Sequence, residues 1–142
     1  MAILNYTSEV SAEKTVGQIY EILAKSGAGE ISFEHGNGQV VAVKFSILHA
    51  EKPLWFRIAP NPQGVLKSMQ RDKVQPRYVN ASQAHRTAWR IVKDAIEAQM
   101  AMFQTQQAEL AEAFLPFAID GNGESVYQAF TATRVKALKA AN

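Results

Sequence analysis

Ile31-Ser32-Phe33-Glu34-His35-Gly36-Asn37-Gly38-Gln39-Val40-Val41-Ala42-Val43-Lys44-Phe45-Ser46-Ile47 is the stretch that decides the fold class. Ile31 and Phe33 alternate with polar residues up to His35-Gly36-Asn37-Gly38, and Val41, Val43, Phe45 and Ile47 alternate away from it. Successive strand side chains point to opposite faces, and Asn-Gly supplies the positive φ angles of a tight turn, so the stretch predicts a β-hairpin. Trp55, Phe56, Arg57 and Ile58, bounded by Pro53 and Pro60, predict a third strand. One sheet face is expected to carry Ile31, Phe33, Val41, Val43, Phe45, Phe56 and Ile58, and the other Lys44, Trp55 and Arg57.

Upstream, Ser11 is placed as the N-cap of a short helix with Val16, Ile19, Tyr20 and Leu23 at helical spacing and Gly27 as its stop. This helix is the expected cover of the apolar sheet face. Ile3, Asn5, Thr7 and Val10 offer an extended pattern and predict a further strand before it. Downstream, Asn61-Pro62 predicts a helix start, because an Asn side chain caps exposed amides and proline tolerates the first helical position. Val65, Leu66 and Met69 carry that helix for about 10 residues. From about Ala81 to Leu115 the periodicity is helical without Gly or Pro, and Pro116 is the expected stop.

On that long helix Ala84, Ala88, Ile91, Val92, Ala95, Gln99 and Met102 share one side, with Trp89, Ile96, Met100 and Phe103 on an adjoining stripe. So broad an apolar arc needs two neighbours. One is expected from the chain itself and the other from a second copy, which makes Trp89, Ile96, Met100 and Phe103 the candidate interface of a homodimer or higher oligomer. A last helix is expected through Val126, Phe130, Val135 and Leu138, after a turn at Gly121-Asn122-Gly123, with Arg134, Lys136 and Lys139 near its end. The fold class is therefore α+β in a single domain, 1–142. Residues 1–60 supply a three- or four-stranded, mainly antiparallel sheet and one helix, residues 61–142 form the helical half, and no strand is expected beyond residue 80.

With 47% hydrophobic and 20% charged residues the chain has the composition of a folded globular protein. It has no cysteine, which excludes disulfides, thiolate metal ligands and cysteine nucleophiles. Its N-terminus lacks a basic region followed by an apolar one, and no stretch approaches the roughly 18 apolar residues of a membrane span. A cytosolic location is expected, and the sequons at Asn5 and Asn80 then carry no glycan.

The net charge of +2 hides a polarised chain. Residues 57–94 hold Arg57, Lys67, Arg71, Lys73, Arg77, Arg86, Arg90 and Lys93 against Asp72 and Asp94, while both flanks are mildly acidic. Clustered cations raise the local potential and steer phosphates, so the window points to a polyanionic partner. Arg86, Trp89, Arg90 and Lys93 fall at i, i+3, i+4 and i+7, placing an indole among three cations on one helix side. Phosphates gripped by the cations and a base stacked on the indole would suit a single-strand binder. A core or interface position for Trp89, with the cations solvating the helix, competes with that reading. Lys67, Arg71, Lys73 and Arg77 are placed as contributing cations, and Lys44, Trp55 and Arg57 as a secondary cation and aromatic group on the outer sheet face.

His35, His49 and His85 stand apart from one another and from acids at metal-ligand spacing, so no metal is expected. Glu109 and Glu112 read as a solvated helix edge rather than a proton-transfer pair. Gly27-Ala28-Gly29-Glu30 lacks the Lys-Ser/Thr and the strand-to-helix order of a phosphate loop. No enzyme signature and no cofactor site emerge.

Two stretches are similar to a family of small proteins encoded by tailed bacteriophages, prophages and integrative elements. They are Lys14-Thr15-Val16-Gly17-Gln18-Ile19 leading to Ala28-Gly29-Glu30-Ile31, and Ala88-Trp89-Arg90-Ile91-Val92-Lys93-Asp94 with Glu97-Ala98-Gln99 and Phe114-Leu115-Pro116. The resemblance implies a viral accessory protein in the cytoplasm of a bacterial host and carries no functional residue across. Within it, the expected function is non-enzymatic binding of a phosphate-bearing ligand, nucleic acid in phage replication or recombination. The alternative is a host-takeover or anti-defence inhibitor that binds a host protein or sequesters a nucleotide signal.

Overall fold

The computed structural model describes residues 2–134. Ser11 caps the first helix, α1 (Ala12–Lys25), its hydroxyl accepting the Lys14 amide at 3.1 Å. Gly27 ends it at φ +94°, with the Gly27 amide bonded to the Ala24 carbonyl and the Ala28 amide to the Leu23 carbonyl. That pair of bonds is the Schellman arrangement, which favours glycine at its left-handed position.

Ile3, Asn5, Thr7 and Val10 do not form a strand. Residues 2–11 are instead a strap tied down on the long helix α3 (Ala81–Gln104). Gln83 Nε2 donates to the Tyr6 and Ser8 carbonyls, both at 2.9 Å, and Thr87 Oγ1 donates to the Asn5 carbonyl at 3.1 Å. Asn5 Nδ2 donates to Asp94 Oδ2 at 2.7 Å. Helix side chains thus take the backbone acceptors that a neighbouring strand would have needed, which also explains why Gln83 and Thr87 are buried.

Four antiparallel strands, β1 (Ile31–Gly36), β2 (Gln39–His49), β3 (Lys52–Ile58) and β4 (Ala118–Ile119), lie side by side in that order. The Asn37-Gly38 turn forms as expected, at φ +53° and +77°. A second tight turn at Ala50-Glu51 takes φ +51° and +69°, so β3 starts at Lys52 rather than Trp55. Pro53 is tolerated inside β3 because β4 pairs with that strand only at Trp55 and Phe56. The position of β4 corrects the expectation that strands end before residue 80: the chain returns to the sheet after α3.

Ile31, Phe45 and Phe56 form one inward row and Phe33, Val43 and Ile58 the next. Val41 was expected on this face and is exposed. Between Glu34 and His35 the register steps from Ala42 to Val40, so Val41 is the extra residue of a bulge and Val40 packs inward in its place. Phe45 stacks on Phe56 at 5.4 Å, and Phe114 meets Phe45 edge-on at 5.5 Å.

Asn61 caps α2 (Pro62–Arg71), the helix read at that position and length. α3 stops at Gln104 rather than running to Leu115. Thr105 Oγ1 bonds back to the Ala101 carbonyl at 2.7 Å, and Gln106, at φ +61°, closes a Schellman arrangement through the Gln106–Phe103 and Gln107–Met102 backbone bonds. A short α4 (Leu110–Ala113) follows. After β4 come α5 (Val126–Ala129) and a π-helical turn, Phe130–Arg134. Val135, Lys136, Leu138 and Lys139 lie outside the described residues.

Ile19 and Leu23 of α1 and Trp89, Ile96 and Met100 of α3 join Val43, Phe45, Ile47, Phe56 and Ile58 in one core, so the inner sheet face is covered by two helices. This corrects the proposed subunit interface: Trp89, Ile96 and Met100 are buried within the chain, and of that stripe Phe103 alone is exposed. The second neighbour of α3 is the chain's own α2, which seals Met69 into the interior.

Candidate functional site

Arg86, Trp89, Arg90 and Lys93 do share a side of α3, and that side faces inward. Trp89 is fully buried, with Nε1 donating to the Val40 carbonyl at 3.1 Å, so no base can stack on it. Arg90 Nη1 donates to Gln18 Oε1 and, at 3.3 Å, to Thr15 Oγ1, bracing α1 against α3. Arg86 donates to Gln83 Oε1 and, at 3.0 Å, to Ser82 Oγ, and its Nε is buried without a partner. Lys93, only 14% exposed, is paired with Glu97. These cations are committed to packing, because α1 lies over the side of α3 that a sequence projection leaves open. Arg90→Glu is therefore expected to lower stability by roughly 2 kcal/mol, through lost charge-assisted bonds to Thr15 and Gln18, rather than merely to change a surface. A denaturant titration showing unchanged stability would contradict that assignment.

On the outer sheet face, Lys44, Trp55 and Arg57 come together, since Lys44 pairs with Arg57 across β2 and β3. Their chemistry is already used. Arg57 forms a two-point ion pair with Glu34 at 2.7 and 3.3 Å, and Lys44 Nζ lies 4.9 Å from the Trp55 ring centroid. The Arg57 hydrogen bond holds the Glu34 carboxyl below the usual carboxylate range.

Lys67, Arg71, Lys73 and Arg77 are all exposed, on the last turns of α2, the loop after it and the 3₁₀ turn Pro76–Tyr78. Lys67 and Arg71 are one helical turn apart on the same side. Arg71 forks onto Asp72 at 3.0 and 3.3 Å, and its side chain is 71% exposed. Lys73 sits at φ +51°, the left-handed position of a Schellman arrangement closed by the Lys73–Gln70 and Val74–Met69 backbone bonds. The Arg77 guanidinium lies 4.7 Å above the Tyr78 ring, which meets Tyr6 of the strap edge-on at 5.5 Å. A guanidinium resting on a ring is partly ordered before binding and so loses less freedom when it meets a phosphate. Four accessible cations thus form a basic shoulder beside α2.

A cleft of about 520 Å³ opens between α2, α3, the end of β3 and the Phe114–Phe117 turn. Sequence reading missed it. Its only signal was that Gly64, Ser68, Ala88 and Ala95 are small.

His85 is partly buried, and desolvation holds its imidazole below the ordinary value, against an opposing pull from Glu13. Glu109 and Glu112 are exposed, with Glu112 Oε1 accepting the Glu109 amide at the start of α4. A side chain on Gly29 would come within 2.9 Å of Ser46 Oγ, so that glycine serves the close approach of the β1 lead-in to β2. Among the described residues no three His, Asp or Glu side chains converge on a point that could hold a metal ion, and no helix is long and apolar enough to cross a membrane. No family model, curated protein or solved structure matches the chain.

Proposed function

We propose that the protein is a non-catalytic binder of a phosphate-bearing polymer, nucleic acid, and that Lys67, Arg71, Lys73 and Arg77 are the residues that hold it. The observation carrying this reading is the exposure of those four cations on one continuous piece of chain, one of them pre-set on an aromatic ring. Arg86, Arg90 and Lys93 are left out, since their donors are engaged inside the fold. Exposed Arg and Lys on a helix end and its following loop suit a phosphate backbone, which is read by charge and position without a pocket for each base. In the setting that the resemblance implies, the polymer is phage or host nucleic acid in bacterial cytoplasm.

Fluorescence anisotropy of a labelled single strand and a labelled duplex, titrated with the full chain across a salt series, tests the reading. Saturable binding that weakens steeply with salt is expected for at least one of them. Binding indifferent to salt, or none at about 50 mM salt, contradicts it.

A further inference from the structure

We infer that the cleft between α2 and α3 is a binding site for a neutral, largely hydrocarbon or aromatic small molecule. The site is independent of the basic shoulder. Its volume of about 520 Å³ falls within the range of pockets that enclose small ligands. It exists because the two helices face one another through small side chains: Gly64 and Ser68 on α2, Ala88 and Ala95 on α3. A Cβ at Gly64 would lie 3.0 Å from Asn61 Nδ2 and would press on the side chain that caps α2.

The chemistry of the walls selects the occupant. Ile58, Val65, Ile91, Val92, Phe114 and Phe117 make them apolar, and among the described residues no ionisable side chain lines the space. A carboxylate, phosphate or ammonium sunk among these walls would lose its hydration without a partner, so the buried body of the occupant is uncharged. Polar edges come from Asn61, Ser68 and Gln99, which suits a ligand carrying one or two uncharged hydrogen-bonding groups on an apolar body. At the rim, Ile3 is held by the strap, whose Asn5 is anchored on Thr87 and Asp94.

Titrating the full chain with the neutral dye N-phenyl-1-naphthylamine and with its anionic relative 1-anilinonaphthalene-8-sulfonate tests the site. The neutral dye is expected to bind at one saturable site with enhanced, blue-shifted emission, and the sulfonate at least ~10-fold more weakly. Ala95→Trp, which fills the cleft from an exposed α3 position, should weaken the neutral dye at least ~10-fold with an unchanged circular dichroism spectrum. Ser68→Phe fills it from the α2 wall and replaces Ala95→Trp should that variant misfold. The proposal is overturned by no saturable uptake, by a sulfonate bound as tightly as the neutral dye, or by undiminished binding in both filled variants. It is equally overturned if light scattering shows a dimer that these substitutions dissociate, since a second copy would then be the occupant.

Discussion

Trp89→Ala is expected to destabilise the protein by about 3–5 kcal/mol, the cost of emptying a fully buried aromatic site whose surroundings relax only in part. The indole lies where α3, α1 and the inner sheet face meet, and its Nε1–H is the partner of the Val40 carbonyl at the β2 bulge. Loss of the ring leaves both a cavity and a part-buried acceptor without its donor. Trp89→Phe separates the two contributions, since it keeps most of the apolar volume and should cost about 1–3 kcal/mol, chiefly for the abandoned carbonyl. A domain of this size has about 5–15 kcal/mol in total, so the alanine variant is expected to lose a large share of its stability. Urea titrations followed by far-ultraviolet circular dichroism measure both. A loss below about 1 kcal/mol in Trp89→Ala would mean that the ring is not a core element. If Trp89 were instead a stacking platform, the same change would remove ligand binding and leave the urea midpoint in place.

The opposite pattern is expected of the basic shoulder. Reversing Lys67, Arg71, Lys73 and Arg77 to Glu should abolish nucleic-acid binding and leave secondary structure intact, because all four are exposed. If each cation neutralises one phosphate, the salt slope of log K is about −0.9 per contact on duplex. Four contacts then lose roughly 100-fold in affinity between 50 and 200 mM salt, and each single reversal should flatten the slope by about one contact. Arg77→Glu is expected to cost more than Lys67→Glu, since a guanidinium offers a planar fork of donors where an ammonium offers a point charge, whereas the Nε and Nη2 donors of Arg71 are already taken by Asp72. Lys73 supplies a sharper control. It occupies a left-handed position that favours glycine, so Lys73→Gly should raise stability by up to about 1 kcal/mol while weakening binding. Full nucleic-acid affinity in the quadruple variant would remove the shoulder from consideration.

The readings that succeeded have their causes within a few residues of one another. Ser11 and Asn61 cap the helices they precede, Gly27 closes α1, and Asn37-Gly38 turns the first hairpin. In each case the partner atom lies within the same turn of chain, so residue type alone specifies the geometry. The same devices went unread where unusual residues serve them. Ala50 and Glu51 make the second hairpin turn, and Lys73 and Gln106 take the left-handed helix-ending positions. Nothing in the chemistry of Gln106 announces a helix end, which is why α3 was extended to Leu115.

Which of the cations reach the surface was decided by tertiary packing. The sequence specified that cations concentrate in residues 57–94, because charge is a property of composition. It could not specify which of them face water, because that depends on where α1 and the strap lie on α3. Periodicity likewise showed that α3 needs two apolar neighbours and was silent on their origin. A helix presents the same stripe to its own sheet as to a second subunit, since apolar burial is non-directional. The chain's own sheet took the Trp89, Ile96 and Met100 stripe, and α2 took the other side. The cleft is the residue of that second packing, left open because the small side chains that meet across it come from helices whose contact only the folded chain defines.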